Sequence, residues 1–167
     1  MSLDNIQLPP ITVQGLFRKS LVELKSRQTT QKKEDRETAF SLLGKNQKGI
    51  LIVVNNNEAA FLPDEELNFL LGILSACKLN MDDVGIFNIC KYADADYKKL
   101  LAELNADKVF MFGISADELK LPLSFPHYQI QKYNSQTYLS APTLAELQND
   151  KAEKTKLWNC LKQIFSI

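Results

Sequence analysis

Ile50-Leu51-Ile52-Val53-Val54 is an unbroken apolar run in which every residue but Leu51 is β-branched. A run without alternation leaves no face for water, so it predicts a strand covered on both sides, as in a parallel sheet flanked by helices. Amphipathic helices and further apolar runs then alternate along the chain. Residues 64–78 place Leu67, Leu70, Leu71, Leu74 and Cys77 on one helical face, with Asp64, Glu65 and Glu66 in the first turn, where the helix dipole favours acids. "VGIFNIC" predicts a second strand, "DADYKKLLAEL" a second helix with Tyr97, Leu100, Leu101 and Leu104 inward, and "KVFMFGI" a third strand. Strand, helix, strand, helix, strand in succession predicts right-handed crossovers. The expected fold is α/β: three layers, with a mostly parallel central sheet of about four strands and helices on both faces.

The flanks are less regular. "AFSLLG" and "GILIVV" bracket "KNQK", which predicts an antiparallel pair between residues 40–43 and 50–54, with a short helix at 40–43 as the competing assignment. Ser115 and Glu118 have capping-box spacing for a short helix. Pro122 and Pro126 then interrupt the chain before "YQIQKY", a candidate fourth strand. In "SAPTLAEL", Pro142 suits a first helical turn, and residues 143–148 form one turn or two. "QNDKAEKTK" breaks the apolar stripe, so a separate helix is expected, capped by Asp150 with Glu153 at the reciprocal position. It carries Leu157, Trp158, Leu161, Ile164 and Phe165, with Trp158 expected in the core.

Residues 1–38 differ in character from residues 39–167, which hold the α/β domain. Leu16, Phe17, Leu21 and Leu24 share one side of a short amphipathic helix that comes after Pro9-Pro10. The succeeding "RQTTQKKEDRET" is polar and charged, as a solvated linker should be. The helix is therefore expected to dock either on the chain's own sheet or on a partner, with those four residues as anchors.

Lys+Arg and Asp+Glu both total 20. That balance predicts weak direct binding to nucleic acid, since few phosphates can be neutralised together. Cys77, Cys90 and Cys160 lack ligand or disulfide-framework spacing, no apolar run suits a bilayer, and "MSLDNIQLPP" is unlike a signal peptide. A cytoplasmic protein without metal or cofactor is expected.

The chemistry-bearing patterns are sparse. "NNNEAAFLP" comes after the first strand without a glycine, against a phosphate-binding loop. Asp82-Asp83 and Asp94/Asp96 sit where turns and helix starts want acids. His127 stands alone among titratable neighbours in sequence and reads as a loop side chain. Asn55, Asn56 and Asn57 lie at the carboxyl end of the central strand, where open α/β sheets keep their crevice, and are read as turn formers or as a residual polar pocket.

The section "FGISADELKLPLSFPHYQIQKYNSQTYLSAPTLAELQNDKAEKTKLWNCLKQIF" resembles the carboxyl half of the psi subunit of bacterial DNA polymerase III. The nearest matches are Ser140-Ala141-Pro142 with Leu144 and Leu147, then Leu157-Trp158 at the right distance. "GILIVVNN" and the helix after it resemble the family's first strand and helix, so the likeness spans roughly residues 48–165. Psi is a clamp-loader accessory, and the resemblance implies a uracil-DNA glycosylase-like fold. Active glycosylases of that architecture carry a Gly-Gln-Asp-Pro-type motif after the first strand and a His-Pro-Ser-Pro loop before the last helix. Here the first reads Asn55-Asn56-Asn57-Glu58, and Leu139 takes the place of the histidine when Pro142 is matched to the later proline. Base excision needs polar groups aimed at a flipped base. The resemblance thus implies no catalytic residues, with Asn55, Asn56, Asn57, Ser140, Pro142 and Thr143 as remnants of a lost pocket. It also implies a replication subunit whose N-terminal segment docks on the clamp loader and whose body holds a chi-like subunit. A divergent enzyme acting on a nucleobase or other small molecule at the crevice between the 55–57 and 140–143 loops is the alternative.

Overall fold

The computed structural model describes residues 40–92 and 96–167. The expected N-terminal helix, with Leu16, Phe17, Leu21 and Leu24, lies outside the described residues, as do the linker and Asp94.

Six strands form one sheet: β1 (Leu43–Gly44), β2 (Ile50–Val54), β3 (Val84–Asn88), β4 (Lys108–Phe112), β5 (Ile130–Tyr133) and β6 (Gln136–Ala141), in the order β1-β3-β2-β4-β6-β5. The inner strands β3, β2, β4 and β6 are parallel, and an antiparallel strand closes each edge. The helices are α1 (Asp64–Ala76), α2 (Tyr97–Leu104), α3 (Leu144–Asn149) and α4 (Lys151–Phe165).

The sheet has period two, so neighbouring side chains of β2 serve opposite cores. Ile50, Ile52 and Val54 join Ile86, Phe110, Phe112 and Leu139 under α1, α3 and α4. Leu51 and Val53 join Phe87, Val109, Met111 and Tyr138 under α2 and the 114–121 segment. Every residue of β2 is buried, which is why the run needs no polar positions.

Four expectations need correction. The sheet has six strands rather than about four, because β1 is only two residues long and β6 lies beyond a tight turn at Asn134-Ser135, both in left-handed conformation (φ 50° and 67°). That two-residue connection joins Tyr133 to Gln136 as a hairpin, the usual role of paired positive φ values. "YQIQKY" supplies β5, an antiparallel edge strand, while the fourth parallel strand is the next one, β6.

The 40–43 stretch does not pair with β2. Both edges of β2 are taken by parallel partners, so the chain crosses the end of β3 and pairs antiparallel there, Leu43 against Ile86 and Gly44 against Gly85. Residues 116–120 form turns rather than a helix, although Ser115 Oγ accepts from the Glu118 N–H at 3.4 Å and Glu118 Oε1 accepts from the Ser115 N–H at 3.3 Å, as in a capping box.

Pro142 precedes the helix instead of opening it. Thr143 is the N-cap of α3: its Oγ1 accepts from the Glu146 N–H at 3.2 Å, and Glu146 Oε2 accepts from the Thr143 N–H at 3.0 Å. Asp150 ends α3 and caps α4, accepting from the N–H groups of Ala152 (2.7 Å) and Glu153 (3.2 Å), so the break in the apolar stripe is a break between helices. Removing a cap of this kind typically costs about 1 kcal/mol. Thr143→Ala is expected to lower the urea-unfolding free energy by about that amount, and an unchanged midpoint would show that the reciprocal box contributes nothing.

Candidate functional site

The inner strand order reverses between β2 and β4, with β3 on one side and β6 on the other, so the carboxyl ends of these strands are where a crevice forms in such folds. A cavity of about 870 Å³ opens one strand along, beyond β4 and β6 rather than between β2 and β4. Gly113, Ser115, His127, Pro142, Thr143, Glu146, Asp150 and Glu153 are among the residues that line it.

Gly113 permits the close approach of the chain after β4 to the start of α3. Its φ is +66°, and a Cβ there would lie 2.5 Å from Thr143 Cγ2. A side chain at position 113 would therefore push against the N-cap of α3.

Ser140 is buried within the last turn of β6 before the cavity, and its Oγ lies 3.0 Å from His127 Nδ1 and 3.4 Å from the Ile114 carbonyl oxygen. A hydroxyl has one proton. When Ser140 donates it to the Ile114 carbonyl, His127 Nδ1 must be the donor to Ser140, which is the reverse of the direction a general base requires. The Ser140 carbonyl also accepts from the Tyr128 N–H at 2.8 Å, so this serine ties the 127–128 segment to the sheet.

The acids that line the cavity have partners within the protein. Glu146 completes the Thr143 cap, Asp150 caps α4, and Glu153 Oε1 accepts from Lys156 Nζ at 2.6 Å. The Lys156 hydrogen bond holds the Glu153 carboxyl below its ordinary range, and the same ion pair raises Lys156. Burial, with Glu153 second, pushes the Tyr128 phenol up.

Asn55, Asn56 and Asn57 do not line this cavity. Asn56 makes a local turn in which its Oδ1 accepts from the N–H groups of Glu58 (2.9 Å) and Ala59 (2.8 Å). Asn88, at the end of β3 and 1% exposed, holds the same loop from below: its Oδ1 accepts from the Asn56 N–H at 3.1 Å, and its amide donates to the carbonyls of Asn56 (2.8 Å) and Ala60 (3.2 Å). Cys90 Sγ contacts Asn57 Oδ1. Glu58 is exposed, and with burial as the larger cause it raises the Glu66 carboxyl.

The paired acids are structural where they are described. Asp83 accepts from the Asn80 N–H at 3.0 Å and from Lys48 Nζ at 3.1 Å, Asp82 pairs with Lys45, and Asp96 caps α2. Among the described residues no group of three or more His, Cys, Asp or Glu side chains is placed to hold a metal ion. No described helix is long and apolar enough to cross a membrane.

Sequence reasoning missed a second concavity. Phe69, Gly72 and Ile73 of α1 face Leu157 and Trp158 of α4 across an apolar groove of about 450 Å³. Trp158, expected in the core, is only half-buried and forms part of this wall. The available signal was Gly72, a glycine within an otherwise regular helical stripe.

No protein-family model matches the chain, and a search of curated proteins finds no match.

Proposed function

We propose that the chain is a non-catalytic, protein-binding subunit of the DNA replication machinery, similar to the psi accessory of bacterial clamp loaders, built on a glycosylase-like α/β body. The observation that carries this reading is the state of the two loops in which such glycosylases keep their catalytic groups. Leu139, at the position matched to the histidine, is 1% exposed within the sheet core, and the adjacent Ser140 hydroxyl is engaged by Ile114 and His127. Asn55, Asn56, Asn57 and Glu58 form a loop whose backbone is satisfied by Asn56 and Asn88, and it offers no acid to the cavity. The balance of 20 basic and 20 acidic residues favours contacts with proteins over contacts with DNA phosphates. Clamp-loader subunits and a chi-like subunit are the proposed partners, with Leu16, Phe17, Leu21 and Leu24 as the proposed anchors on the clamp loader.

Reconstitution with purified clamp-loader subunits of the same host tests the proposal. The full chain is expected to co-elute with them, and deletion of residues 2–37 is expected to abolish association while leaving the melting temperature unchanged. No release of uracil from single- or double-stranded DNA is expected. Absence of association by the full chain, or abasic sites whose formation Asn55→Ala or Glu58→Gln abolishes, would overturn the reading.

The alternative reading, an enzyme acting on a nucleobase or small molecule, draws on the His127–Ser140 pair beside the large cavity. A turnover that requires both side chains would establish it.

A further inference from the structure

Between α1 and α4 the molecule leaves an apolar groove of about 450 Å³ whose single charged lining residue, among those described, is Lys154. Lys154 Nζ stands 5.3 Å from the centroid of the Phe69 ring, and Lys162 Nζ stands 6.0 Å from that of Trp158, so both aromatic walls carry a cation. Among the described residues no carboxylate lines the groove.

Gly72 lies inside the thirteen-residue helix α1 and is exposed. Glycine in a helix interior costs about 1 kcal/mol relative to alanine. A Cβ at this position would meet nothing within 4 Å, so no contact inside the described protein requires the glycine. Its effect is to leave one wall of the groove without a side chain, between Phe69 and Ile73.

We propose that this groove is a docking site for an amphipathic helix of another protein, one that carries acidic residues beside its apolar stripe. The inference rests on the reading of the chain as a protein-binding subunit and specifies the chemistry of a partner. Apolar side chains at i, i+3 or i+4, and i+7 fill a groove between two helices, and the backbone of an incoming helix can approach most closely where Gly72 presents no side chain. Lys154 and Lys162 select for carboxylates at the rim and reject a basic helix, since charge complementarity acts mainly on specificity.

Trp158 is the only tryptophan in the sequence and stands in the groove wall, so its emission reports occupancy directly. The full chain is titrated with a synthetic amphipathic helical peptide bearing leucines at that spacing flanked by glutamates, and with the same peptide carrying lysine in place of every glutamate. The acidic peptide is expected to give a saturable blue shift and to bind at least about tenfold more tightly than the basic one. Lys154→Glu should narrow or invert that ratio. Gly72→Leu should abolish the shift while the melting temperature holds or rises, since leucine is the better helix former.

Equal binding of the two peptides, no saturable shift with either, or unchanged binding by Gly72→Leu would overturn the proposal. Concentration-dependent self-association that Gly72→Leu abolishes would also overturn it, by making a second copy of the chain the occupant. Peptide binding that persists while clamp-loader association fails would refute the replication reading alone. Clamp-loader association by a full chain that shows no peptide binding would refute the groove alone.

Discussion

Gly44→Ala is expected to destabilise the protein by about 2 to 4 kcal/mol, within the range of substitutions that strain the backbone and force a rearrangement. Two features combine at this residue. Its φ is +103°, a conformation open to glycine and poorly accessible to an L side chain. A Cβ there would sit 2.2 Å from the Val84 carbonyl oxygen and 2.6 Å from that of Met81, and both are backbone atoms that a rotamer change cannot move.

Relief therefore requires β1 to leave β3, with loss of the Leu43–Ile86 and Gly44–Gly85 pairing. The turn after β1 depends on the same path, since the N–H groups of Asn46, Gln47 and Lys48 donate to the carbonyls of Val84, Asp82 and Asp83, each at 3.0 Å. Urea unfolding measures the cost, and hydrogen exchange at residues 46–48 should accelerate with it. Gly72→Ala is the control. The same added methyl meets open space in a helix, so it should be neutral or stabilising by up to about 1 kcal/mol. Equal effects from the two substitutions would refute the strain account.

Stability should also fall steeply between about pH 10 and pH 12. Tyr138 is 1% exposed in the sheet core, and its hydroxyl has no hydrogen-bond partner among the described residues. Burial first, and then the neighbouring phenols of Tyr97 and Tyr133, push its pKa up to about 12. Burial likewise raises Tyr97 and Tyr128. An unfolded phenol ionises near pH 10. Above that value the unfolded chain releases protons that the folded chain still holds, so the folded state binds more protons and its stability must fall as pH rises.

The stabilisation is complete below about pH 10 and is lost as pH climbs through the folded value, a change of about 2 to 3 kcal/mol for Tyr138 alone. Tyr138→Phe should flatten the decline over this window. At neutral pH it should destabilise little, because it removes a buried hydroxyl that makes no hydrogen bond. An unchanged alkaline slope in that variant would assign the loss to other groups.

The local signals in the chain identified much of what the structure contains. Ile50-Leu51-Ile52-Val53-Val54 is a strand buried on both faces because five consecutive apolar side chains cannot serve a half-wet sheet. Asp96 and Asp150 begin helices because a carboxylate at that position satisfies backbone N–H groups a few residues away, a relation contained in the sequence itself. Asn56 forms a turn for the same reason.

Other assignments depended on contacts that no short window contains. Whether β1 pairs with β2 or β3 turns on which strand edges remain open after β3 and β4 have taken both sides of β2. The pairing of Ser140 with His127 joins two segments that the β5–β6 hairpin carries side by side, a register that no local signal sets. The turn of Asn56 was legible from its own neighbours, whereas the fact that Asn55, Asn56 and Asn57 do not line the cavity beyond β4 and β6 was not.

The same division holds for Trp158. Periodicity places it on the apolar side of α4, and only the spacing between α4 and α1, with no side chain at Gly72, decides that this side is partly uncovered. Sequence determined the longer elements and the Asp96 and Asp150 caps because those depend on neighbours within a turn or two of chain. Tertiary structure alone decided the strand order, the cavity and the groove, because each is a boundary between segments far apart in sequence, and packing sets which of their surfaces meet.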